Sequence, residues 1–224
     1  MEKPVKSIIF DLDGTLVDTL PDIHAASSEM LKSINLDPLP SEQVRSFIGN
    51  GVDKLIKCCL NVYDVNVSED ATRAFMDYYQ ANPTTLSKCY ENVEFVLFQL
   101  KSRGLKLGIC TNKPSNLANK VLENLGLKKY FGTIICGDTL HVKKPDARLL
   151  LEAVRGLESD IESSIFIGDS EVDMKTALSA NIGFGFFTQG YHKLPLVDIC
   201  CDFHFDSYLE FEKNIKNFKE FDIL

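Results

Sequence analysis

Apolar and polar positions recur with two different periods along this chain, and the change of period divides it. The short run Ile8-Ile9-Phe10 ends abruptly at Asp11 and Asp13, followed by Gly14 and Thr15. That is the pattern of a buried strand delivering polar groups to a sheet edge. From about residue 20 to residue 81 the period is helical, with no convincing strand. Asp18, Thr19 and Pro21 form a helix start, and Ile23, Ala26, Met30, Leu31 and Ile34 follow at helical spacing. Ser41 with Val44, Phe47 and Ile48 predicts a second helix, which Gly49-Asn50-Gly51 breaks. Val52, Leu55, Ile56 and Leu60 predict a third, and Ser68 opens a fourth through Ala71, Phe75 and Tyr79. Asn82-Pro83-Thr84-Thr85 reads as a return linker.

From Glu91 helix and strand alternate. An amphipathic helix over 93–102 closes at Gly104, a strand over 105–111 leads into Asn112-Lys113-Pro114, and a helix over 115–125 precedes a short strand at 133–136. A helix over 146–154, a strand over 163–167 ending at Gly168-Asp169, a helix through Met174, Ala177 and Leu178, and strands near 184–187 and 202–205 complete the series. Such alternation predicts an α/β chain with a doubly wound parallel sheet, covered on both faces, into which the helical stretch is inserted.

Composition narrows the classes of partner. The net charge of −8 provides no basic field for nucleic acid or an anionic membrane, so an anionic substrate needs local help. The seven cysteines occur singly or as the neighbours Cys58-Cys59 and Cys200-Cys201, without metal-ligand spacing, and read as reduced packing residues. The apolar run before Asp11 is too short for a signal sequence and no run approaches membrane-spanning length, so the expected setting is soluble and cytoplasmic.

Ligands of open parallel sheets bind at the carboxyl ends of strands. That rule gathers Asp11 and Asp13, Thr111 and Asn112, Lys144, and Asp169 with Asp173. On an extended strand Asp11 and Asp13 would share a face and repel unless a cation relieved them, which suggests a divalent metal; in isolation the pair also reads as a solvated turn. Gly14 lets the backbone approach a ligand, and Thr15 offers a hydroxyl and an amide to an anion. Three carboxylates suit a magnesium ion, and a lysine with a hydroxyl suits a phosphoryl group bridging metal and ammonium. With no serine-hydrolase elbow, P-loop or zinc-protease motif, a carboxylate is the available nucleophile. Lys143 beside Lys144 reads as surface charge. Gly49-Asn50-Gly51 is either a turn between helices or, through its amides at the next helix start, a seat for a substrate carboxylate that Lys54 could assist.

The ordered set resembles the haloacid dehalogenase-like phosphatases: Asp11-Leu12-Asp13-Gly14-Thr15 matches their first motif, Thr111-Asn112 the second, Lys144-Pro145 the third, and Gly168-Asp169-Ser170-Glu171-Val172-Asp173 the acidic fourth. Phe47-Ile48-Gly49-Asn50-Gly51-Val52 and Gly137-Asp138-Thr139 are similar to the phosphoglycolate phosphatase group. The resemblance implies a Rossmann-like catalytic core over residues 1–17 and 86–224, and a helical cap domain over 18–85. It implies catalytic roles for Asp11 as nucleophile, Asp13 as acid and base, and Thr111 and Lys144 as charge-bearing partners. Mg2+ would be bound by Asp11, the backbone carbonyl of Asp13 and Asp169, with Asp173 steadying Lys144 or a metal water. Gly14, Thr15, Asn112, Gly49, Asn50 and Gly51 are the expected substrate contacts. The expected substrate is a small anionic phosphomonoester, 2-phosphoglycolate first among candidates, and the expected state a monomer or weak homodimer without nucleic-acid or membrane partners. Two other readings stay open. One is a phosphosugar phosphatase or mutase, disfavoured because Ile23 rather than His24 stands where a related mutase group carries a histidine; the other is a non-catalytic regulatory module.

Overall fold

The computed structural model describes residues 4–218. In chain order the elements are β1 (Ser7–Phe10), β2 (Val17–Asp18), α1 (Leu20–Ser33), α2 (Ser41–Arg45), α3 (Val52–Asn61), α4 (Glu69–Ala81), β3 (Lys88–Cys89), α5 (Val93–Ser102), β4 (Lys106–Cys110) and α6 (Ser115–Asn124). They continue with β5 (Thr133–Ile135), α7 (Ala147–Gly156), β6 (Ser164–Gly168), α8 (Glu171–Ala180), β7 (Gly183–Phe187), β8 (Phe203–Phe205) and α9 (Tyr208–Phe218).

All four side chains of β1 are buried, so both of its faces require an apolar layer. Residue parity divides them. Ile8, Phe10, Leu107, Ile109, Ile165 and Ile167 face a layer built from α5, α6 and α9, whereas Ile9, Cys110 and Phe166 face α7 and α8. The sheet is parallel throughout, in the order β5-β4-β1-β6-β7-β8. The chain therefore builds outward from β1 on one side and returns to build on the other. The ends of β1 and its two neighbours flank the point where winding reverses, where such sheets open a crevice.

Helices α1 to α4 bury their own cluster, including Met30, Leu31, Ile56, Leu60 and Phe75, and draw in Leu117 and Tyr191 from the sheet side. The two connections to this helical stretch pair as an antiparallel ribbon, Val17 opposite Cys89 and Asp18 opposite Lys88, which the sequence pattern does not show. Asp22, buried in the first turn of α1, pins the return strand by accepting from the amides of Leu86 (3.0 Å) and Ser87 (2.8 Å) and from the Ser87 hydroxyl (2.5 Å).

Four expectations need correction. Helix α2 stops at Arg45, so Phe47 and Ile48 belong to the turn before α3. In α8 the inward stripe is Met174, Ala177 and Ala180, which leaves Leu178 58% exposed. Helix α9 was not anticipated; its Tyr208 and Phe211 pack on Phe205, and Phe211 reaches Phe10. Cys59, Cys110 and Cys136 are buried packing residues, but Cys200 is exposed. Among the described residues no helix is long and apolar enough to cross a membrane.

Candidate active site

Asp11, Thr111 and Asp169 each follow the last residue of a central strand, β1, β4 and β6 respectively, so parallel pairing alone brings them together. Ser170 caps α8 through a reciprocal box with Asp173, placing that carboxylate in the first turn of the helix beside Asp169. Gly168 makes this possible, because any side chain there would meet Asp173. Lys144, ahead of α7, reaches in from the far side.

The carboxylates of Asp11, Asp169 and Asp173 are all buried, with oxygens within 4.8 Å of one another. One buried ammonium answers them: Lys144 Nζ lies 2.6 Å from Asp173 Oδ1 and 2.9 Å from Asp11 Oδ1. Asp173 is saturated, since its Oδ2 accepts from the Ser170 hydroxyl (2.6 Å) and amide (3.1 Å) and from the Asp169 amide (3.3 Å). Asp169 accepts from the Thr15 hydroxyl (2.5 Å) and the Tyr191 amide (2.6 Å). Asp11 Oδ1 is buried, with the Lys144 ammonium as its partner. Burial pushes the Asp11 carboxyl up to about 6, with Lys144 pulling it back and Asp173 and Asp13 adding to the rise. Burial, then Asp173 and Asp11, raise Asp169 well above the usual carboxylate range. Three buried acids with one lysine leave uncompensated negative charge, and the all-oxygen donor set fits a hard divalent cation.

Asp11 and Asp13 do not confront each other as a strand pair would. Strand β1 ends at Phe10 and the chain turns, with Asp13 bridging Val17. Asp13 turns to Lys113, whose Nζ donates to both of its carboxylate oxygens (2.9 and 3.1 Å) and also to the Tyr79 hydroxyl. Burial opposes the charge on Lys113, but Asp13 and Tyr79 outweigh it and hold the ammonium above its ordinary range. Lys113 was not among the expected site residues. Its only sequence signal was that it keeps the parity of Thr111 beyond a strand end.

Other expected contacts are already committed within the protein. The Thr15 hydroxyl is held by Asp169 and its amide by the Leu12 carbonyl (3.3 Å), so neither is offered to an anion. Gly14, at φ +86°, makes room for Asp169 rather than for a ligand: a Cβ would stand 2.5 Å from Asp169 Oδ2. Asn112 donates to the carbonyls of Gly49 (2.9 Å) and Lys144 (3.1 Å) and accepts from the Lys144 amide (2.8 Å), bracing the lysine and the cap loop.

A pocket opens over Asp11, lined by Asp13, Thr111, Asn112 and Lys113 from the sheet side and by Ile23, Ile48, Gly49, Gly51, Val52, Leu55, Phe75 and Tyr79 from the cap. It is a narrow space beneath the cap. Asn50 and Lys54 are exposed and do not line it. His24 also lies off the wall, its ring 2.8 Å from the Leu39 carbonyl, while Ile23 contributes to the pocket. Lys143 pairs with Asp53 of the cap (2.9 Å), and Arg45 donates to the Gly190 carbonyl, so both ends of the cap are seated on the core.

The sequence matches the family described as haloacid dehalogenase-like hydrolase over residues 8–186. A phosphoglycolate phosphatase of Cereibacter sphaeroides is 38% identical over 196 residues, covering 86% of this chain and 89% of that protein. One from Neisseria meningitidis is 36% identical over 192 residues, 81% of this chain and 82% of its own length. The crystal structure of a predicted phosphoglycolate phosphatase from Haemophilus somnus superposes with a TM-score of 0.88 at 31% identity, covering 93% of this chain and 97% of that one. With a matching sequence across most of its length and the acids, lysine and threonine gathered at the central strand ends, the chain belongs to the haloacid dehalogenase-like hydrolase family.

Proposed function

We propose that this hydrolase is a magnesium-dependent phosphomonoester phosphatase acting on 2-phosphoglycolate. The observation that carries the reading is a buried Asp11 carboxylate, paired with the Lys144 ammonium, that faces a small pocket with a mostly apolar cap wall. A carboxylate at a strand end facing a confined space under the cap is placed to attack phosphorus, and the apolar cap wall suits a small alcohol portion better than a sugar rich in hydroxyls. The naming of relatives at 36 to 38% identity supports the same substrate.

An ion held by Asp11, Asp169 and the Asp13 carbonyl would supply neutralisation of charge on the phosphoryl oxygens. Asp11 forms a bond from a carboxylate oxygen to phosphorus as the bond to the glycolate oxygen breaks. Asp13 gives its proton to that departing oxygen, then takes one from the water that hydrolyses the aspartyl-phosphate and returns Asp11. Lys144 and the Thr111 hydroxyl share the charge of the transferring group. Asp173 and Asn112 hold Lys144 for this task. The apolar cap wall, including Ile23, excludes water from the intermediate and offers sugar hydroxyls no partners, which counts against the phosphosugar and mutase reading.

The test is phosphate release from 2-phosphoglycolate and glucose 6-phosphate, with magnesium and after chelation. Phosphoglycolate should be preferred and chelation should abolish turnover; equal rates on the sugar phosphate would overturn the substrate. Asp13→Asn adds a test of the acid. An alkoxide must be protonated as it leaves, whereas nitrophenolate leaves unaided. The variant should therefore form phospho-enzyme about 100-fold more slowly from phosphoglycolate but far less slowly from nitrophenyl phosphate. Pre-steady-state bursts measure this directly, and equal slowing would remove Asp13 from the role.

A further inference from the structure

Nothing in the nucleophile, the acid cluster or Lys144 distinguishes one phosphomonoester from another, so selectivity lies in what else faces the pocket. Among the residues lining it Lys113 is the one cation, and Tyr79 is the one polar side chain on the cap wall. The two are joined: Lys113 Nζ donates to the Tyr79 hydroxyl and lies 4.6 Å from the centre of its ring. Because an ammonium can only donate, the tyrosine oxygen accepts in this bond and keeps its own proton to give. Among the described residues nothing accepts that proton.

The seat on Lys113 is already shaped for a carboxylate. Asp13 fills it with both oxygens, at 2.9 and 3.1 Å. Yet Asp13, in the reading given above, has to address the ester oxygen and cannot remain there during the reaction. We propose that Lys113 and Tyr79 are the specificity site for a carboxylate at the far end of the substrate, which takes the place of Asp13 on Lys113 and frees Asp13 to take up a proton from water or from the phosphoryl monoanion and turn to the ester oxygen. This rests on the phosphoglycolate reading and deepens it. Substrate recognition and placement of the acid become one event, because a single ammonium serves two carboxylates in turn. A phosphomonoester with an uncharged far end binds the metal and Lys144 as well as any other, but does not draw Asp13 away. Two-carbon and three-carbon phospho-acids meet the requirement; sugar phosphates and simple alkyl phosphates do not. Tyr79 donates from the cap and Lys113 from the core, so the carboxylate also ties the cap to the strand ends.

The experiment compares kcat/KM for 2-phosphoglycolate with that for ethyl phosphate, which keeps the two-carbon length and lacks the carboxylate, in the magnesium-loaded full chain. For Lys113→Met the ratio should fall by roughly 10- to 100-fold, the scale of a lost charge-assisted contact. Lys113→Arg should recover part of it. Tyr79→Phe removes only the hydroxyl and should lower the ratio about fivefold through KM, a milder loss of one donor; it serves as the test should Lys113→Met fail to fold. A parent enzyme that prefers phosphoglycolate, with variants that lose activity on both substrates in parallel, would overturn this assignment and leave the substrate reading standing. A parent that shows no preference between the two would remove the substrate reading and the inference together.

Discussion

Asp11→Asn should abolish phosphate release, by about 10⁴-fold or more, while making the metal-free protein more stable at pH 7. The two effects have one cause. The Asp11 carboxylate is buried beside Asp169 and Asp173, with Lys144 the one ammonium among the described residues to answer the group. Its carboxyl titrates at about 6 rather than the ordinary 3.8, so the folded chain holds the proton more tightly than the unfolded chain does. Between those values the folded state binds more protons, and metal-free stability therefore falls as pH rises through that window and levels off above it. The ionised group costs on the order of 3 kcal/mol at neutral pH. Asparagine removes the charge, and with it both the proposed nucleophile and that cost. Urea denaturation of parent and variant at pH 5 and 7 after chelation, beside a phosphate assay, checks both halves. The variant should gain stability at both pH values, roughly half as much at pH 5 as at pH 7, because pH 5 lies within the window. Turnover near the parental level would move the nucleophile elsewhere, and a loss of stability would mean the cluster is not under the charge excess described.

Lys144→Met should act in the opposite sense on stability and in the same sense on activity. Lys144 is fully buried and its ammonium is the one cation within reach of both Asp11 and Asp173 among the described residues. Removing one partner from a buried ion pair leaves the other unanswered and costs about 3 to 5 kcal/mol. Methionine matches the stem in length, so packing on Phe166, whose ring centre lies 5.5 Å from the ammonium, is largely kept and the loss reports charge. Activity should drop at least about 10²-fold because a preorganised positive group at the phosphoryl site is gone. The stability loss should be smaller at pH 5 than at pH 7, since Asp11 then takes up a proton and needs no counter-charge. Denaturant midpoints at the two pH values decide this; an equal loss at both would point to lost packing instead.

Much of this molecule was legible before any coordinates. The strands at 7–10 and 164–168 announce themselves as short apolar runs ending in acids, and the helices at 20–33, 93–102 and 115–124 repeat their apolar residues every three to four positions with recognisable starts and stops. Those are local signals, set by which side of an element faces the core. The two-residue strands β2 and β3 have too few residues to display a period, so the ribbon that anchors the cap leaves no pattern in the sequence. The pattern points to Leu178, yet the buried stripe on α8 runs through small residues, Ala177 and Ala180, that carry little weight in a hydrophobic pattern.

The division is sharpest at the active site. Residue order and spacing determined which groups arrive at the strand ends, because parallel pairing in a doubly wound sheet carries Asp11, Thr111 and Asp169 to one edge whatever the details of packing. Which partner each group then takes was decided only by the tertiary structure. Thr15 bonds Asp169 across 154 positions of sequence, Asn112 spans from the Gly49 carbonyl to the Lys144 backbone, and Asp13 finds Lys113 100 residues away. A hydrogen bond or ion pair depends on tenths of an ångström and on burial, and those follow from how the cap and the sheet layers close on one another. Lys113 looks in sequence like any lysine in a polar turn; it becomes a buried ammonium in the pocket only because Tyr79 of the cap folds down over it.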